Sequence, residues 1–171
     1  MQKIALITLM TLVPLLSQAQ TCQSNIKNKT PDSRYQLLSN GSEVKDLKTG
    51  LIWQRCSLGQ TWDGTTCTGT ASQYTWQQAL QTAKDAGNGL TLPNIKELSS
   101  LANRACYNPA INDTFFPNTP FDSSTYYGAY WSSSPVADGG DYAWFVYFHG
   151  GYDRFDFRSL SLFVRLVRAS Q

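Results

Sequence analysis

Thr75-Trp76-Gln77-Gln78-Ala79-Leu80 and, a little further on, Leu92-Pro93-Asn94-Ile95-Lys96-Glu97-Leu98 are the stretch on which the fold turns. Thr75 is a good N-cap, because its hydroxyl can accept an otherwise unpaired amide of the first turn. The helix it opens is expected from Trp76 to about Ala86, with Gly87 as its stop. Trp76, Ala79, Leu80 and Ala83 fall on one face, so the helix is amphipathic. Asn94 begins a second helix, and Glu97 completes a capping-box pair with it. Ile95, Leu98, Leu101 and Ala102 give that helix a core face, and it should end near Cys106. Strand signals lie on both sides. Upstream, Tyr35 to Leu38 and Glu43 to Asp46 flank Asn40-Gly41, a hairpin turn signal. Thr49-Gly50 is a further turn, leading into Leu51-Ile52-Trp53-Gln54. Downstream, Pro109 to Phe121 reads as loop. Tyr130 to Ser134, Ala143 to Phe148 and Leu162 to Arg168 are strand candidates, joined by turns at Gly139-Gly140 and Gly150-Gly151. Central helices between runs of strands imply an α+β class, two helices packed on antiparallel sheet with long loops.

The N-terminus sets the compartment. Lys3 is a positive n-region, Ile4 to Leu16 is an apolar stretch, and Ser17-Gln18-Ala19 offers small residues for a signal peptidase. The apolar run is too short for a transmembrane helix. The expected layout is a signal peptide over 1–19 and one domain over 20–171, exported to the periplasm, the medium or the cell surface. The 171 residues carry 14 Lys and Arg against 12 Asp and Glu. Losing Lys3 leaves the mature chain close to neutral, which argues against nucleic acid and against an anionic membrane as partners, and no membrane insertion is expected. Aromatic residues are plentiful, 13% of the chain, and charged ones scarce at 15%. That mix suits a loop-rich domain with polar, uncharged surfaces.

The four cysteines are Cys22, Cys56, Cys67 and Cys106. An even number in an exported domain reads as two disulfides. Cys56 and Cys67 enclose a short Gly- and Thr-rich segment that closes easily, which leaves Cys22 to tie the N-terminal arm to Cys106. Cys22–Cys56 with Cys67–Cys106 remains an allowed alternative. Zinc is disfavoured, since there is no C-x-x-C pair and His149 is the single histidine.

A set of motifs in fixed order now carries a resemblance. Asp46 precedes Thr49-Gly50-Leu51-Ile52-Trp53-Gln54; Trp76 precedes Ala79-Leu80; then come Leu92-Pro93-Asn94-Ile95-Lys96-Glu97-Leu98, Pro109-Ala110-Ile111-Asn112 and Phe116-Pro117. Tyr130-Trp131-Ser132-Ser133-Ser134, Ala143-Trp144 and Val164-Arg165-Leu166-Val167-Arg168 complete it. The chain resembles the Lcl C-terminal-like domain family of exported bacterial proteins over nearly all of its mature length. The resemblance implies a C-type-lectin-like fold, the broad architecture shared with formylglycine-generating enzymes. For some members it also implies adhesion or glycan binding, including sulfated glycosaminoglycans. One departure stands out: the family typically has Trp-Arg before Leu-Pro, where this chain has Leu90-Thr91.

The candidate ligand-binding residues are Tyr126, Tyr127, Tyr130, Trp144, Tyr152 and Arg154, with Tyr147 beside them. Sugar rings stack C–H faces on aromatics, while Asp and Asn accept hydrogen bonds from their hydroxyls. The competing role for any one ring is core packing, the expected role of Trp53 and Trp131. Arg158 is a second cation available to an anionic group, whereas Arg165 and Arg168, alternating with apolar residues, suit buried or edge ion pairs. No cofactor is expected. If calcium binds, Asp138, Asp141, Asp153 and Asp156 in glycine-rich turns are its candidate ligands, although no EF-hand spacing is present. Ser132, Ser133 and Ser134 lack a nucleophile elbow and have only His149 as a base, so they read as strand and turn hydroxyls. The function expected is a non-catalytic, lectin-like binding or adhesion module for glycans or cell-surface structures. The alternative is an assembly subunit that binds a protein partner or forms a homo-oligomer through its aromatic surface.

Overall fold

A computed structural model describes residues 20–170 apart from 39, 122–125, 127 and 139. The expected signal peptide and Tyr127 therefore lie outside the described residues. The chain opens with β1 (Thr21–Cys22), followed by the hairpin β2 (Tyr35–Leu38) and β3 (Glu43–Asp46), then β4 (Leu51–Gln54). A small ribbon of β5 (Thr61–Trp62) and β6 (Cys67–Thr68) leads to α1 (Trp76–Asp85) and α2 (Ile95–Ser100). After β7 (Cys106–Tyr107) come β8 (Ala129–Pro135), β9 (Tyr142–Tyr147), β10 (Tyr152–Phe157) and β11 (Val167–Ala169). The architecture is mixed and sheet-rich, with few helices and two disulfides.

Two antiparallel sheets dominate. One has the order β11-β4-β3-β2 and the other β10-β9-β8. Residues 162–167 stitch them together: the Phe163 amide donates to the carbonyl of Ala129, the first residue of β8 (3.0 Å), and Val167 pairs with Trp53 of β4. Asn40-Gly41 turns the β2–β3 hairpin as expected, with Gly41 at φ +80°. Both helices carry complete capping boxes, Thr75 with Gln78 and Asn94 with Glu97. Ala79 and Ala83 of α1 bury against Trp131, Phe145 and Leu162, and the Trp76 indole donates to the Ser132 carbonyl (2.8 Å). α2 carries Leu98 into a second cluster around Trp53, Tyr130, Val146 and Phe116. Trp53 and Trp131 are fully buried, each contributing about 5 kcal/mol of gross hydrophobic stabilisation.

The second helix stops at Ser100 rather than near Cys106. Leu101 and Ala102 tighten into i→i−3 bonds, and the Asn103 amide leaves the helix to donate to the Ala110 carbonyl (2.9 Å). Leu101 and Ala102 still enter the core, so their burial does not depend on the helix continuing. The disulfides are Cys22–Cys106 and Cys56–Cys67. The first clamps β1 to β7, and Gln20 adds hydrogen bonds to the carbonyls of Pro109 and Ile111.

Three arginines shape the interior. Arg34 is fixed by Asp46, which also accepts the Lys48 amide (3.0 Å) and the Thr49 hydroxyl (2.8 Å). Arg165 is fully buried, and among the described residues it has no ion-pair partner. It donates to the carbonyls of Gln54 and Arg55 and to Thr119 Oγ1 (2.8 Å), with its guanidinium over the rings of Phe116 and Tyr130. Among the described residues its acceptors are carbonyl oxygens at the C-terminal end of β4 and a threonine hydroxyl, where a carboxylate was the expectation. Arg168 meets the expectation of an edge pair, with Glu43 at 2.8 Å.

Candidate ligand-binding surface

The register of β9 and β10 decides which of the candidate side chains can meet. Tyr152 lies opposite Tyr147, Arg154 opposite Phe145 and Asp156 opposite Ala143. Phe155 lies opposite Trp144 and Phe157 opposite Tyr142. Opposed residues of an antiparallel pair share a face, and successive residues alternate. Tyr147, Tyr152, Arg154 and Asp156 therefore stand on one side of the sheet. Trp144, Tyr142, Phe155 and Phe157 stand on the other.

Tyr126 completes the first side. Its ring stacks on Tyr147 (centroids 6.0 Å, planes 20° apart), and its hydroxyl donates to Asp156 Oδ2 at 2.6 Å. Tyr147 also packs against Phe145 (4.9 Å) and Tyr152 (5.3 Å), and Arg154 lies 5.1 Å from the centre of the Tyr152 ring. The hydrogen bond to Asp156, with some burial, raises the Tyr126 hydroxyl above the ordinary tyrosine range, so it stays a donor in alkaline solution. Tyr147 is raised chiefly by burial. The result is a strip of three tyrosine rings with an exposed guanidinium and a carboxylate at its side. Tyr126 and Tyr152 remain 37% and 40% exposed, enough for a ligand to stack on them.

The backbone works to hold Tyr126 there. Its φ is +53°, a region a bulky side chain seldom adopts. Gly128 follows at φ +64°, where a Cβ would strike the Pro120 carbonyl oxygen and come within 2.7 Å of the Phe121 Cα. Gly128→Ala is expected to lower stability by at least about 2 kcal/mol, because both the dihedral and the backbone contact oppose it. Urea denaturation against wild type checks this, and an unchanged midpoint would contradict it.

Two of the expected residues do not join the strip. Tyr130 is fully buried in β8, its hydroxyl bonded to Ser57 and its ring packed on Phe148 and Phe163. It is a core residue, and burial raises its hydroxyl. Trp144 belongs to the opposite face, 5.2 Å from Phe155. Phe155 and Phe157, half exposed at 51% and 49%, were not anticipated.

Among the described residues, no three His, Cys, Asp or Glu side chains are grouped to hold a metal. The calcium candidates are dispersed: Asp153 pairs with Arg104 (3.3 Å) on one face of β10 while Asp156 lies on the other. Arg158 is spent on the Tyr142 carbonyl (3.2 Å) and the Trp76 ring (4.3 Å). Ser132 donates to the Trp144 carbonyl (2.7 Å), and Ser134 accepts the Ile95 amide (3.0 Å), each a strand or cap hydroxyl.

Sheets, caps and bridges together define a disulfide-braced α+β domain that carries an aromatic strip at one sheet edge. Residues 42–168 match the model of the Lcl C-terminal domain, and the chain belongs to that family. No curated protein and no solved structure is a match to it. The match begins after Cys22 and Arg34, so the arm that both residues fasten precedes the shared region. Where the family typically has an arginine, Thr91 pairs through its backbone and hydroxyl with the Val167 carbonyl. No helix among the described residues is long and apolar enough to cross a membrane.

Proposed function

We propose that this chain is an exported, non-catalytic binding module with a C-type-lectin-like arrangement of its sheets and helices, and that it takes a glycan on the strip formed by Tyr126, Tyr147 and Tyr152. The observation that carries this reading is the packing of these rings, Tyr126 stacked on Tyr147 and Tyr152 tilted against it, beside Arg154 and Asp156 on one face of the sheet. Apolar ring faces receive the C–H face of a pyranose, and the flanking cation and carboxylate orient its hydroxyls or an acidic substituent. Two disulfides and the family match support export and a surface role. The charged side chains of the strip already have soft, local partners, so a ligand can replace them without stranding a buried charge.

A glycan array probed with the oxidised chain, with and without chelator, tests the reading. Saturable binding to one glycan class is expected, weakened about 30-fold in the double variant Tyr126→Ala/Tyr152→Ala if those rings are the energetic centre. Unchanged binding in a folded double variant would move the site elsewhere. No binding to any glycan by the wild type would leave a protein-partner role as the better account.

A further inference from the structure

The outer edge of β10 has a hydrogen-bonding phase that can be read from its neighbours. The Arg158 amide donates to the Asp141 carbonyl (2.7 Å), and on the far side of β9 the Phe148 amide donates to the Gly128 carbonyl (2.9 Å). Antiparallel pairs alternate between hydrogen-bonded and non-bonded. The backbone groups of Tyr152, Arg154 and Asp156 therefore point into β9, and those of Asp153, Phe155 and Phe157 point outward. No strand lies on that outer side among the described residues. Side chains already cap two of the outward groups: Arg154 donates to the Asp153 carbonyl (3.2 Å), and the Phe157 amide donates to Asp156 Oδ1 (2.8 Å). Among the described residues no side chain caps the amide or carbonyl of Phe155 in this way, and its ring is 51% exposed.

We propose that β10 pairs with β10 of a second copy of this chain, antiparallel and centred on Phe155, to give a two-fold dimer with a continuous six-stranded sheet. The sequence is suited to pairing with itself in that register. Phe155 meets Phe155 of the second copy in a hydrogen-bonded pair, and both its outward groups are satisfied. Arg154 then faces Asp156 of the second copy, and Asp156 faces the second Arg154. These are non-bonded pairs, in which side chains approach most closely. A register shifted by one residue would set Asp153 against Asp156 and point the backbone groups out of phase. Charge and hydrogen-bond phase thus select the same arrangement. The two half-exposed phenylalanine rings also come together beside both copies of Trp144, on the face away from the tyrosine strip. An exposed strand edge with unpaired backbone groups otherwise invites indiscriminate pairing.

Sedimentation of the oxidised chain over a wide concentration range tests this. A reversible monomer–dimer equilibrium is expected. Arg154→Asp places two like-charge pairs at the seam, as does Asp156→Arg in a separate chain, and each should weaken the dimer by at least about tenfold. Mixing these two variants gives two attractive pairs again, one in the native sense and one with its charges exchanged, so a heterodimer should form from two chains that are each mainly monomeric. A merely structural role for either residue would not produce that rescue. A wild type that stays monomeric at its highest soluble concentration overturns the proposal, and so does a dimer indifferent to both variants. Glycan binding is not needed for either outcome.

Discussion

Asp46→Ala is expected to destabilise the domain by about 3–5 kcal/mol, the usual cost of removing one partner from a buried ion pair. Asp46 is fully buried, as is nearly all of Arg34. The carboxylate accepts two guanidinium nitrogens, the Lys48 amide and the Thr49 hydroxyl. Without it Arg34 is left as an uncompensated cation beneath the β2–β3 hairpin. The same pair predicts acid sensitivity. Burial opposes the ionised form of Asp46, but the bonds from Arg34 and Thr49 outweigh it and hold the carboxyl below its ordinary value. A depressed folded value contributes stability that is present above the unfolded carboxylate pKa, near 3.9, and is lost as pH falls through the folded one. Urea denaturation at neutral pH and below about pH 4 should show the wild type losing this contribution while Asp46→Ala, already without it, loses less. Equal acid losses in the two proteins would contradict the assignment.

Removing the Cys22–Cys106 bridge as a pair, with Cys22→Ala and Cys106→Ala, should cost about 4–5 kcal/mol in the chain-entropy model, against about 3 kcal/mol for Cys56→Ala with Cys67→Ala. The difference follows from loop length, since the bonded cysteines are 84 and 11 residues apart. The longer bridge is also the main attachment of the N-terminal arm. β1 is only two residues, and both are exposed. Hydrogen exchange on the long-bridge variant should therefore show β1 and β7 opening, with α1 and β9 still protected. Equal losses for the two bridges would mean that structure in the unfolded chain, not loop entropy, sets their contributions.

Much of this architecture was legible in the residues. The β2–β3 hairpin, β4 and the start of both helices follow from local chemistry: Asn40-Gly41, Thr49-Gly50, Thr75 with Gln78, and Asn94 with Glu97. Each is a short-range signal whose physics is complete within a few residues. β10 was not legible. Tyr152-Asp153-Arg154-Phe155-Asp156-Phe157 exposes aromatics on both faces of an edge, so it lacks the apolar–polar alternation that marks a half-buried strand. That omission also hid the sidedness of the candidate site. Tyr147 and Trp144 differ in parity along β9, yet only the β10 register shows that parity divides the aromatic cluster into two surfaces. Tyr130 looked like its exposed neighbours because composition cannot report which tyrosine hydroxyl finds a buried partner, here Ser57. Arg165 carried no sign in sequence that main-chain carbonyls would serve as its acceptors.

The covalent tie between Cys22 and Cys106 has a mechanical consequence. Tension applied across the domain, from ahead of Cys22 to beyond β11, passes through the bridge and cannot extend the 84-residue span between the two cysteines. About 280 Å of contour length is thereby withheld from stretching. The hairpin, both helices and β4 bear load only as a closed ring, and the segment free to yield is the one after Cys106, where β8, β9 and β10 carry the tyrosine strip.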